Sequence, residues 1–159
     1  MANESTSRGA AVRFPPPFVP LIALALGLAL DRTVGPLPNP FGETVLFVLG
    51  VLALAKGLVL MALAFGLFKK TRQDPKPWTD SPELIAEGIY LWTRNPMYVS
   101  MGVLQAGVGM LLGSLWVVVL VPATWLTIYF IAIRHEEAYL EHRFGEPYRE
   151  YMRTVRRWF

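Results

Sequence analysis

Arg94-Asn95-Pro96-Met97-Tyr98 opens, and Arg134-His135-Glu136-Glu137 closes, the stretch that decides how this chain folds. Between them, Met97 to Ile133 run for 37 residues without a charge. That is too long for one membrane crossing and suits two short ones, since about 20 helical residues span a ~30 Å hydrocarbon core. Gly113-Ser114, near the middle, marks a turn. A helical hairpin folded there brings Arg94, Arg134 and Glu137 to one face of a bilayer, at headgroup depth. Ionisable residues gathered at that level are candidates for a functional site. The plainer reading makes the two arginines interfacial anchors.

Composition supports a membrane setting. Of the 159 residues, 53% are hydrophobic, and the mean hydropathy is +0.39. Charge is confined to the first residues, to 69–94 and to the part after 133, apart from a few isolated groups. This predicts an all-α integral membrane protein with one domain, residues 1–159. Cysteine is absent, which excludes disulfides, thiolate metal sites and cysteine nucleophiles. Two histidines, His135 and His142, make no histidine-rich metal centre, and no metal site is assigned. The pI near 9.4 comes from basic residues that flank apolar runs, so anionic lipid headgroups are the expected partner rather than nucleic acid.

Residues 1–17 are polar and rich in breakers and read as a flexible N-terminus. Val19–Thr33 is predicted as a first, short membrane helix, retained rather than cleaved because Asp31-Arg32-Thr33 follows it instead of a small-residue cleavage site. Pro36, Pro38 and Pro40 then impose a rigid turn. Phe41–Phe68 is the second helix, with Lys56 near its middle; that lysine either neutralises an acidic ligand group or snorkels to a nearby interface. Residues 69–93 form a soluble excursion, with a short helix expected from Ser81-Pro82-Glu83 to Gly88. Pro96 starts the third helix, which runs to about Leu112. The fourth runs from Leu115 to about Ile133 and continues into water past Arg134, and Pro122 is able to kink it. Gly145 breaks it, and Pro147–Val155 reads as an amphipathic helix on the membrane or capping the bundle. The expectation is therefore a four-transmembrane-helix bundle, with helices 1–2 in 18–68 and a core in 69–159 that includes the hairpin of helices 3 and 4. With four crossings, thirteen basic residues, Arg8 among them, share one side and only Arg32 lies on the other. The positive-inside rule then puts both termini in the cytoplasm, in a bacterial inner membrane.

Several of these residues also carry a family pattern. Gly88-Ile89-Tyr90-Leu91-Trp92-Thr93-Arg94-Asn95-Pro96-Met97-Tyr98 is followed by Gly107 and Gly109, by Glu136-Glu137, and by Phe144-Gly145-Glu146-Pro147-Tyr148-Arg149-Glu150-Tyr151. This ordered set resembles the isoprenylcysteine carboxyl methyltransferase family, part of a wider group with the phosphatidylethanolamine N-methyltransferases. The resemblance covers about Phe68 to Phe159. It implies an S-adenosylmethionine-dependent methyltransferase, releasing S-adenosylhomocysteine, with a lipophilic acceptor in or at the membrane. It places the family's arginine-histidine-proline motif on Arg94, Asn95 and Pro96, followed by Tyr98. The cofactor-linked glycines fall on Gly107 and Gly109, the paired glutamates on Glu136 and Glu137, a tyrosine on Tyr148 and an arginine on Arg157. Asn95 departs from the family's histidine and cannot become a cation near neutral pH, so it is kept as a cofactor contact without a proton-transfer role.

The chemistry can be set against the residues. The cofactor's ammonium calls for a carboxylate, which Glu136 or Glu137 offers. Its carboxylate calls for a basic group, His135 or Arg134, and its adenine for a wall such as Tyr98, Tyr148 or Leu140. Gly107 and Gly109 also read as ordinary close-packing positions. Methyl transfer is an in-line displacement that needs alignment and desolvation more than acid–base groups. For a carboxylate acceptor, the leading reading, Arg94 orients the anion, with Arg134 second. For a phospholipid or amine acceptor, Glu137 instead manages a proton or a cation. Arg94 at a helix N-terminus opposes the helix dipole and asks for an anionic partner: an acceptor carboxylate, a lipid phosphate or Glu137. A small non-enzymatic membrane scaffold or transporter subunit is the contrasting class, and it predicts no cofactor binding.

Overall fold

The computed structural model describes residues 9–158, so Arg8 and Phe159 lie outside the described residues, as does the part of the expected flexible N-terminus before Gly9. The described residues form helices and connecting segments with no strand: α1 (Phe18–Thr33), α2 (Glu43–Lys70), α3 (Pro96–Leu111), α4 (Leu115–Phe144) and α5 (Glu146–Thr154). A 3₁₀ turn, Gly88–Leu91, precedes α3. The all-α class, the hairpin turn and the closing amphipathic helix agree with the sequence reading. The number of crossings does not.

Among the described residues two helices, not four, are long and apolar enough to span a membrane: Glu43–Lys70 and Leu115–Phe144. α1 and α3 hold 16 residues each, ~24 Å of helix, which falls short of the ~30 Å hydrocarbon core. The uncharged run from 97 to 133 divides unequally, because the turn at 112–114 ends α3 early while α4 continues past its charges to Phe144. The assignment of both termini to the cytoplasmic side counted four crossings and loses that basis. Membrane association itself is supported by α2, where only 17% of the apolar window is buried. Phe47, Leu52, Leu58, Val59 and Leu63 face outward from it, an apolar surface unsuited to water.

Glycines let the helices approach. A Cβ on Gly107 would sit 2.9 Å from the Leu54 backbone nitrogen, and one on Gly109 would sit 2.8 Å from the Val117 side chain. Gly50 and Gly57 pack in the same way against Leu111 and Leu104 of α3, whereas Gly66 has open space around it. Close approach of this kind is the usual means of helix association where lipid removes the hydrophobic drive. Between α3 and α4, buried Gln105 donates to the Val117 carbonyl at 3.0 Å and accepts from the Thr124 hydroxyl at 2.7 Å. These bonds span the irregularity at Leu120, just before Pro122. One π turn, Tyr129–Ile133, follows and rotates the rest of α4 relative to its start.

The connection at 113 is as the sequence predicts. Gly113 takes φ +69, and the Ser114 hydroxyl accepts from the Val117 N–H at 3.4 Å, an N-cap. The short helix expected from Ser81 to Gly88 does not form. Too few residues lie between Pro82 and Gly88 to repay helix nucleation, and the chain instead inserts Leu84 and Ile85 into a cluster with Tyr90, Tyr148, Tyr151 and Val155. Gly88, at φ +56, then starts the 3₁₀ turn. Gly145, at φ +62, ends α4. α5 buries Tyr148 and Tyr151 and turns Arg149 and Arg153 outward to pair with Glu146 at 2.8 and 3.1 Å.

Candidate active site

A cavity of about 560 Å³ lies where the C-terminal end of α2, the start of α3 and the end of α4 converge. α2 contributes Met61 and Phe65, and α3 contributes Tyr98, Met101 and Leu104. α4 supplies Glu136, Glu137 and Leu140, α5 supplies Tyr148, and the 73–85 loop adds Trp78. The wall is mostly apolar; its charged residues are Arg94, Glu136 and Glu137 from the helices and their approach, and Asp74, Lys76 and Glu83 from the loop.

Arg94 is held from several sides. Its backbone N–H donates to the Arg156 carbonyl at 2.9 Å, and Nη1 donates to the Met152 carbonyl at 3.4 Å. Nη2 pairs with Glu137 Oε1 at 3.0 Å, with the two side chains only 9% and 14% exposed. Its Nε is buried and has no hydrogen-bond partner among the described residues. Glu137 is gripped a second time, by Arg157, whose Nε and Nη2 donate to Oε1 and Oε2 at 3.0 and 2.9 Å. That bidentate bond, assisted by charge attraction and opposed by partial burial, holds the Arg157 guanidinium above its ordinary pKa. The Arg157 guanidinium also lies over the Tyr129 ring, 5.0 Å from its centroid.

Glu136 is placed differently. The Tyr98 hydroxyl donates to its Oε1, tying α4 to the first turn of α3, and no cation pairs with it among the described residues. Asn95 is buried and sends its side-chain amide to the Arg157 carbonyl at 3.1 Å. Pro96, fully buried, opens α3. Tyr148 is 2% exposed; burial first, then the Glu137 charge, raises its phenol above the ordinary range. Tyr151 donates to the Tyr90 carbonyl at 2.7 Å and locks α5 against the 3₁₀ turn.

The cavity therefore gathers Arg94, Asn95, Tyr98, Glu136, Glu137, Leu140 and Tyr148. Pro96 supports this wall without lining it. Gly107 and Gly109 are occupied in helix packing. Arg134 is exposed, its guanidinium 5.6 Å from the Phe130 ring centroid and its Nε 3.4 Å from His135 Nε2; neither residue lines the cavity. Lys56 is exposed on α2, also outside it. Sequence reasoning gave Arg157 no role of its own and passed over Thr93, whose hydroxyl donates to the Arg157 carbonyl at 3.0 Å and accepts from the Asn95 N–H at 3.2 Å. Thr93 sits inside the quoted motif, but its partner lies 64 residues away.

A family model described as PEMT, phospholipid methyltransferase, matches residues 45–147. Among curated relatives, the protein-S-isoprenylcysteine O-methyltransferase of Xenopus laevis is 35% identical over 117 residues, 70% of this chain and 40% of that protein. The protein of the same name from Schizosaccharomyces pombe (strain 972 / ATCC 24843) is 35% identical over 72 residues, 45% of this chain and 30% of that one. The chain thus covers less than half the length of these relatives.

Proposed function

The chain belongs to the phospholipid methyltransferase family, and from that premise we propose that it methylates a lipophilic acceptor beside the Arg94, Glu136 and Glu137 cluster of the cavity, using S-adenosylmethionine. When bound, this cofactor supplies a methyl group on a sulfonium sulfur and departs as neutral S-adenosylhomocysteine once an acceptor lone pair has taken the methyl. The residues present fit such a group. Glu136, which meets no cation among the described residues, suits its cationic centres, Arg94 Nε, without a hydrogen-bond partner among the described residues, suits its carboxylate, and Tyr148 and Leu140 suit its adenine. The Arg94 and Glu137 side chains are largely buried, which strengthens the charge interactions between them.

The observation that carries the reading is the unequal state of the two neighbouring glutamates. Glu137 is saturated by Arg94 and Arg157, so Arg94 Nη2 is committed to a protein carboxylate and only Nε is left without a partner among the described residues. Glu136 has only a tyrosine hydroxyl. A carboxylate in that condition draws a cationic head group and can receive a proton from its nitrogen, which frees the lone pair for the new N–C bond. This favours an amine head group such as a phospholipid carries. Carboxyl O-methylation is the second reading, favoured by the names of the Xenopus and fission-yeast relatives; it needs no deprotonation, but Arg94 would have to exchange Glu137 for the acceptor.

The test is purified protein with methyl-tritiated S-adenosylmethionine and vesicles of phosphatidylethanolamine or of a long-chain carboxylic acid. Label that alkali leaves non-volatile on the head group is N-methyl, and label that alkali releases as volatile methanol is a methyl ester. Folded protein that labels neither acceptor overturns the proposed activity on both.

A further inference from the structure

After α5 the chain becomes extended, with Val155 at φ −114 and ψ 131, and residues 155–158 cross the N-terminal end of α3. Their backbone is pinned there. Arg94 N–H donates to the Arg156 carbonyl at 2.9 Å, while the Thr93 hydroxyl and the Asn95 amide both donate to the Arg157 carbonyl, at 3.0 and 3.1 Å. Trp158 lies against Trp125, with ring centroids 5.9 Å apart, and the Trp125 indole N–H donates to the Tyr98 carbonyl at 3.0 Å. The segment is thus a strap fixed to both helices of the hairpin.

From this strap Arg157 reaches both oxygens of Glu137, at 3.0 and 2.9 Å. It is not part of the cavity wall, whereas Glu137 and Arg94 are. The Glu137 carboxylate therefore lies between two guanidinium groups, of which only the Arg94 group meets the cavity. A carboxylate paired with one arginine can still turn about its terminal torsion, which is broad. A second, bidentate fork fixes its plane.

We propose that Arg157 is a positioning residue, acting on the cavity through Glu137: it holds that carboxylate in one orientation and thereby sets the Arg94 guanidinium at the cavity wall. The proposal rests on the reading of the cavity as the S-adenosylmethionine site. Lysine cannot replace Arg157 in this role, because an ammonium is a point charge without the planar fork.

The experiment is a double-mutant cycle on cofactor affinity, measured by calorimetric titration of S-adenosylmethionine in detergent, with thermal unfolding of each protein recorded alongside. Arg157→Gln in the native background is expected to weaken binding about tenfold, and Arg157→Lys to remain weakened despite its charge. In a Glu137→Gln background the Arg157→Gln change should add nothing beyond about twofold, because the group it acts through is gone. Where Glu137→Gln binds too weakly for calorimetry, equilibrium binding of labelled S-adenosylmethionine at higher protein concentration replaces it, and where Arg157→Gln does not fold, Arg157→Lys takes its place. An equal loss in both backgrounds, or no loss in the native one, overturns the positioning role. Absence of binding by the native protein instead sinks the cofactor reading, and the positioning role with it.

Discussion

Glu136 and Glu137 are consecutive in the chain, yet one is bound by two arginines and the other by a phenol. Their difference predicts different mutant phenotypes. Glu136→Gln keeps an oxygen that accepts from Tyr98, so the fold should survive. The charge that receives the acceptor's proton is gone, and transfer to an amine acceptor should fall about 10²-fold or more, measured as tritium incorporation under single-turnover conditions. Arg94→Lys is expected to behave otherwise than the sequence alone suggests. An Arg94 that only orients an acceptor anion, as the sequence suggests, would lose transfer on this change and leave cofactor binding nearly normal. With Glu137 at 3.0 Å and the Met152 carbonyl at 3.4 Å on separate nitrogens of one fork, a lysine cannot serve both. A loss of about 1–3 kcal/mol in stability should therefore accompany any loss of transfer. Unchanged unfolding in detergent together with lost transfer would restore the earlier view. The charged residues of this site were legible because they bracket an uncharged run. Arg157 was marked only by the family resemblance and given no role, since it meets Glu137 only through a tertiary contact 20 residues back along the chain.

At the scale of elements, the punctuation was legible and the packing was ambiguous. Pro96, Gly113-Ser114 and Gly145 stop and start helices where fixed φ, a left-handed residue or a capping hydroxyl demands it. Ser81-Pro82-Glu83 carries the same kind of start signal but is overridden by the burial of Ile85. The π turn of α4 has no sequence mark that we can identify. Gly107 and Gly109 fit both a family motif and a packing stripe, and their surroundings are those of packing. Gly107→Val should therefore destabilise by about 1–3 kcal/mol or more, because the neighbour at 2.9 Å is backbone of α2, which cannot rotate aside. Gly66→Ala, with nothing within 4 Å, should be neutral or stabilise by up to about 1 kcal/mol through helix propensity. Thermal midpoints of the two variants in one detergent decide this, and equal shifts would refute the packing account.

Among the described residues five helices pack together, and only two of them are long and apolar enough to span a membrane. Hydropathy could not separate these, because an apolar helix of 16 residues and one of 28 differ in reach and not in character. What distinguishes α2 is its surface: most of its apolar window faces away from the protein, and water would charge roughly 25 cal/mol for each Å² left exposed. The chain should accordingly stay with membranes through washes in high salt and alkaline carbonate, which strip proteins held by charge alone. Lys56 gives the sharper version of this expectation. It is the one charge in the interior of α2, exposed and outside the cavity, so its ammonium must reach for a headgroup along its own stem. Lys56→Leu removes that requirement, and a central lysine typically costs about 2.5–3.5 kcal/mol on insertion. The variant should resist the carbonate wash at least as well as the native chain and transfer methyl groups at the native rate. If transfer collapses while the protein remains folded and membrane-bound, Lys56 has a part in the reaction, and the cavity described here is not the whole of the site.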